Sequence, residues 1–155
     1  MKLPRSAAGW TIAVFGVLAL VLGLVGLIRP EALLRLLGFE VIEAADRASG
    51  DYTRTYIAAS SMAAVNMGVY YLVAAHTEWR AFFRFTVIFR LVTFSVFTTL
   101  VVSGSAPGKF FGVAAWEGLG AVATGVGLWL DSRRPELASI SPATAAVRSP
   151  TDAGR

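Results

Sequence analysis

The chain of 155 residues has no cysteine, one histidine (His76), and only 15% charged residues. Without thiols there is no disulfide framework and no thiolate metal or redox site. A single imidazole supplies neither the paired axial ligands of a b-type haem nor a His-rich metal site, so neither a metal nor a cofactor is expected. Soluble domains of this size carry about a quarter charged residues to keep their surface wet. What the chain has instead is 55% hydrophobic residues and a mean hydropathy of +0.63. The apolar residues are gathered into four long runs. That distribution argues for a bilayer and against a water-soluble enzyme.

The first run, Trp10 to Ile28, holds 19 residues without a charge, enough at ~1.5 Å per residue to cross the hydrocarbon core. Lys2 and Arg5 resemble the basic start of a signal peptide. The run is longer than a typical signal core and ends in Leu27-Ile28-Arg29-Pro30 rather than small residues, so an uncleaved span is expected. Pro30 then suits the first position of a new helix. Residues 30–37, with Glu31 and Arg35 four apart among four leucines and Gly38 behind them, predict a short helix lying in the interface plane. The remainder of this loop is acidic, with Glu40, Glu43, Asp46 and Asp51.

Three more spans follow, at about 56–75, 82–102 and 110–130. The second is weakly hydrophobic. Ala59, Ala63, Asn66 and Tyr70 share one face there, with Ser60, Ala64 and Gly68 beside it, the small-residue spacing by which membrane helices approach closely. The fourth repeats that spacing at Ala114, Gly118, Ala121 and Gly125. A short turn with Gly104, Pro107 and Gly108 predicts an antiparallel hairpin of the third and fourth spans. Residues 132–155 lack apolar periodicity and are expected to form a disordered tail. The predicted fold is therefore all-α: a bundle of four transmembrane helices over residues 1–131, with one interfacial helix. Eight basic residues flank the spans on the side of the termini and five on the other, which predicts both termini in the cytoplasm. Because these cations sit at helix ends, the net charge of +4 carries no nucleic-acid signal.

Two ionisable residues lie well inside spans: Arg90 near the middle of the third, and Glu117 about two turns into the fourth. A lone charge at mid-bilayer costs a few kcal/mol or more and needs a partner. In an antiparallel hairpin the two are offset by roughly 7–8 Å along the axis, within reach of two long side chains. Thr86, Arg90 and Thr93 form a polar stripe, and Asn66 and Tyr70 are the natural contributions of the second span. These five residues, with Glu117, are the candidate ligand-binding set. Two readings stay open at this stage: a satisfied ion pair that fixes helix register, or a polar pocket for a head group or a proton. His76, Arg80 and Arg84 have their simplest account as boundary residues, and Arg54 with Asp51 as a local pair at a helix start.

The segments "GLVGLIRPEALLRLLGF", "RTYIAASSMAAVNMGVYYLVAA" and "AAWEGLGAVATGVGLWL", with an Arg-bearing third span between the last two, give the chain a layout that resembles the small bacterial four-helix membrane proteins grouped as DoxX-like and BphX-like. The resemblance covers about residues 10–131. It implies a four-helix bundle in a bacterial inner membrane, in some members an accessory subunit near quinone chemistry, and it transfers no catalytic residues. The leading expectation is a non-enzymatic membrane protein that binds a lipid, quinone or other apolar molecule, or a partner subunit, including a second copy of itself. The alternatives are an intramembrane isomerase or cyclase, with Glu117 as proton donor and Arg90 setting its ionisation, and a small transporter or proton pathway.

Overall fold

A computed structural model describes residues 3–140, with side chains as far as Arg133. The described residues form five α-helices and no strand: α1 Ala7–Ile28, α2 Pro30–Leu37, α3 Thr53–His76, α4 Arg80–Val102 and α5 Phe111–Ile140. Short 3-10 turns occupy Ala44–Asp46 and Gly108–Phe110. Four stretches, α1, α3, α4 and residues Gly108–Arg133, are long and apolar enough to cross a membrane. These match the four apolar runs, and α2 matches the expected short helix between Pro30 and Gly38.

The helices are ordered α3, α1, α5, α4 across the bundle, with α1 and α5 in the middle. Glycine dictates the first of these contacts. A Cβ on Gly68 would lie 2.8 Å from the carbonyl oxygen of Gly16 and 2.9 Å from the backbone nitrogen of Leu20, so α1 and α3 meet backbone to backbone. Gly23 and Gly26 continue the seam against Ser61 and Val65. At the other side of α1, a Cβ on Gly127 would stand 2.8 Å from the Cα of Ala8, and the hydroxyls of Thr11 and Thr124 are 3.0 Å apart. Close approach of this kind supplies the van der Waals contact that holds helices together where no hydrophobic force separates them from lipid. By contrast, α3 and α4, although consecutive, barely meet beyond their connecting turn. That divergence leaves room between them.

Two carboxylates hold the end of the bundle where α1 begins. Asp131 of α5 accepts the backbone N–H groups of Ala7 and Ala8 at 2.9 and 3.0 Å. Glu78 accepts the N–H of Ser6 at 3.0 Å and the N–H of Arg5, and it also takes the Ser6 hydroxyl proton as a hydrogen bond. Ser6 in turn accepts the N–H of Gly9 at 2.9 Å. The orphan donors and the positive dipole end of α1 are thus satisfied by side chains from α5 and from the turn between α3 and α4. Glu78 reaches this position at a conformational cost. Trp79 N–H bonds to Ala74 C=O and Glu78 N–H to Ala75 C=O, a Schellman ending in which Glu78 takes the left-handed φ of +52°, a place usually held by glycine. Gly38 fills the same position after α2, at φ +85°.

Several local expectations change. Glu31 does not pair with Arg35, which is exposed; it accepts from Arg54 Nε at 2.8 Å, with Arg47 at 3.6 Å, because α2 folds back against the start of α3. Asp51 does not pair with Arg54. It accepts the N–H of Thr53 at 2.9 Å and that residue's hydroxyl, the usual task of a carboxylate at a helix start. The helix of the fourth span, α5, also runs further than expected, to Ile140, through the first part of the segment expected to be disordered. Pro135 removes one backbone donor without ending the helix, and Glu136, Leu137 and Ala138 are strong helix formers. Residues 141–155 lie outside the described residues.

Candidate functional site

The room between α3 and α4 is a cavity of about 510 Å³, open on the side where those two helices part. Its floor comes from the central helices: Phe15, Leu18, Ala19 and Leu22 of α1, and Val113, Trp116 and Glu117 of α5. Its walls are Ala64, Met67 and Tyr71 of α3 and Phe85, Phe89, Arg90 and Thr93 of α4. Most of this lining is apolar, and its charged groups are Arg90 and Glu117. Leu22 and Val113 also line a neighbouring apolar crevice of about 340 Å³ that reaches Leu33 and Leu37 of α2. A second crevice of about 380 Å³, beneath Leu36 and Leu37, shares Leu18, Leu22, Val113 and Trp116 with the main cavity. The apolar space therefore continues from Arg90 towards the short helix α2.

Arg90 sets the chemistry of the polar end. The whole residue is 3% exposed. Its guanidinium carbon lies 3.5 Å from the centre of the Phe15 ring and 5.2 Å from that of Tyr71, a cation–π arrangement that gains strength when water is excluded. Phe15 is itself supported by Trp116, their ring centres 4.4 Å apart. Gly120 opens the notch that admits the guanidinium: a Cβ there would lie 2.0 Å from Arg90 Nη1 and 2.3 Å from Phe15 Cζ. Glu117, one turn before Gly120, places Oε2 at 3.7 Å from Arg90 Nε. That distance is an ion pair but longer than a hydrogen bond. Arg90 Nε and Nη1 are both buried and have no hydrogen-bond acceptor, an unusual state for a buried cation. The pair inferred from the antiparallel hairpin is present, and it is incompletely satisfied.

The other candidates divide. Thr93 lines the cavity and donates its hydroxyl to the Phe89 carbonyl at 2.9 Å, which leaves oxygen lone pairs open. Thr86 is buried on the same face of α4 but does not line the cavity. Asn66 and Tyr70 are exposed on the outside of α3 and do not join the site. The reason is the glycine seam: with Gly68 and Ser61 turned onto α1, the cavity takes Ala64, Met67 and Tyr71, about one residue round from the expected face. Ala59 and Ala63 stay exposed with Asn66. Phe15, Tyr71, Trp116 and Gly120 were not among the expected residues. Gly9, Gly16 and Gly23 at seven-residue spacing carried the signal for the α1 seam, and with that seam the facing side of α3 follows.

Among the described residues no cluster of His, Asp and Glu fits a metal ion. No family model, curated protein or solved structure matches the chain, so the site is interpreted from its own geometry.

Proposed function

We propose that the chain is an integral membrane protein that binds an amphipathic, mainly apolar molecule in the cleft between α3 and α4. The observation that carries this reading is a large, mainly apolar cavity whose lining includes an ion pair, Arg90 with Glu117. Binding sites for small molecules are characteristically apolar enclosures of this size with a few placed polar groups. A bundle with only a structural role has little use for such a void, since packed helices gain contact by closing it. The opening lies between two helices of membrane-spanning length, so a lipid, a quinone or a similar apolar molecule reaches the cleft from the bilayer without crossing water. On the basic-residue count the termini face the cytoplasm and α2 lies at the opposite surface of the bacterial inner membrane. A role as accessory subunit is compatible with this reading, since carrying a ligand requires no reaction. The resemblance to DoxX-like and BphX-like proteins points the same way.

Native mass spectrometry of the detergent-purified protein tests the proposal. Wild type is expected to retain a bound species of defined mass. Ala64→Trp, which fills the cleft from α3, is expected to lose it while keeping the helical circular dichroism of the wild type. Equal retention by that variant, or a wild type that never carries a ligand, removes the binding reading.

A further inference from the structure

The cleft also constrains the kind of molecule it takes, an inference that rests on the binding reading above. Its polar end is dipolar. Arg90 lines the cavity as a cation, and Glu117 is paired with it at 3.7 Å through Oε2 while its side chain stays 23% exposed beside the cavity. The two formal charges cancel. An anionic head group would bring a second negative charge next to Glu117 in a medium of low dielectric, where like charges repel strongly. A cationic head group meets the corresponding conflict at Arg90. A purely apolar molecule gains nothing from either residue.

We propose that the cleft selects a neutral amphiphile whose polar end carries both an acceptor, such as a carbonyl, for Arg90 and a hydroxyl donor for Glu117. The Thr93 hydroxyl, whose proton is already engaged by the Phe89 carbonyl, offers a second acceptor to the same hydroxyl end. The apolar remainder lies along Leu18, Leu22 and Val113 towards α2. A monoacylglycerol has this chemistry: an ester carbonyl, free hydroxyls and one long chain.

The test compares two probes with the same unsaturated C18 chain, 1-monooleoylglycerol and oleyl sulfate, by equilibrium binding to the detergent-purified protein. Wild type is expected to bind the neutral probe at least about tenfold more tightly, the ratio produced by one mismatched buried polar contact. Glu117→Gln, which removes the carboxylate charge and leaves the cation, is expected to shift the preference towards the sulfate. The wild-type comparison stands without that variant if the substitution prevents folding. Equal or tighter binding of the sulfate by wild type overturns the inference while leaving the cleft intact, provided Ala64→Trp weakens both probes. If Ala64→Trp changes neither, the cleft reading itself fails.

Discussion

Arg90→Met, with Glu117 left in place, is expected to destabilise the folded protein by about 3–5 kcal/mol, the cost of leaving one buried charge without its partner. Methionine keeps much of the length and apolar volume of arginine, so the loss reports mainly on charge and on the cation–π contact with Phe15 rather than on a cavity. Glu117→Leu alone is expected to cost at least as much, because it strands the more deeply buried charge: the Arg90 side chain is 4% exposed and stays protonated, whereas the glutamate left behind by Arg90→Met is 23% exposed. The double variant is expected to cost less than the sum, with a coupling of at least about 1 kcal/mol. Unfolding by denaturing detergent, followed by circular dichroism, gives all four corners of the cycle. Strictly additive losses would show that the 3.7 Å approach of the two groups has no energetic consequence.

The second large effect concerns the carboxylates at the start of α1. Asp131→Ala strands two backbone donors, Ala7 and Ala8, at a residue only 4% exposed, and is expected to cost about 2–3 kcal/mol. Glu78 supplies the pH dependence. Burial pushes its carboxyl up and the nearby Asp131 adds to that, but the hydrogen bonds from Ser6 and Arg5 outweigh both and hold it below its ordinary value of 4.5. A depressed carboxyl contributes stability that is present above the unfolded value and lost as the pH falls through the folded one. Thermal stability is therefore expected to be level above about pH 5.5 and to drop towards pH 3.5. Glu78→Gln is expected to flatten part of that drop, since an amide does not titrate. Glu31 and Asp51, also held low, leave a residual slope from the other end of the molecule. An unchanged acid limb in Glu78→Gln would remove Glu78 from the account.

Much of this arrangement was legible in the sequence, and the parts that were not have specific causes. Run lengths gave four long helices, because an uncharged 19-residue stretch such as Trp10 to Ile28 has few other uses. Pro30 and Gly38 bounded α2 to the residue. Arg90 and Glu117 were found as partners because two charges deep in apolar helices need one another and hairpin geometry fixes their depth. The rotation of α3 was missed. Small residues occur on two of its faces, and only the glycines of α1 decide which of them is used. Asn66 and Tyr70 were placed inside on polarity, whereas Tyr71, next in the chain, has the inward position. The carboxylate clasp was illegible for a different reason: Glu78 lies 72 residues from Ser6, and Asp131 lies 124 from Ala7. Glu31 and Arg54, 23 residues apart, show the same limit at the other end. Spacing rules rank neighbours along one helix and are silent on such pairs.

The most direct test of the central claim places a photo-reactive benzophenone amino acid at Met67, which lines the cleft, and separately at Tyr70, which is exposed on the outside of the same helix. The two sites are three residues apart and differ chiefly in the direction they face. After irradiation in native membranes, mass spectrometry of the purified protein is expected to show one dominant adduct at position 67, suppressed by Ala64→Trp, and a broad mixture of bulk lipids at position 70. The same lipid mixture at both positions would contradict the account.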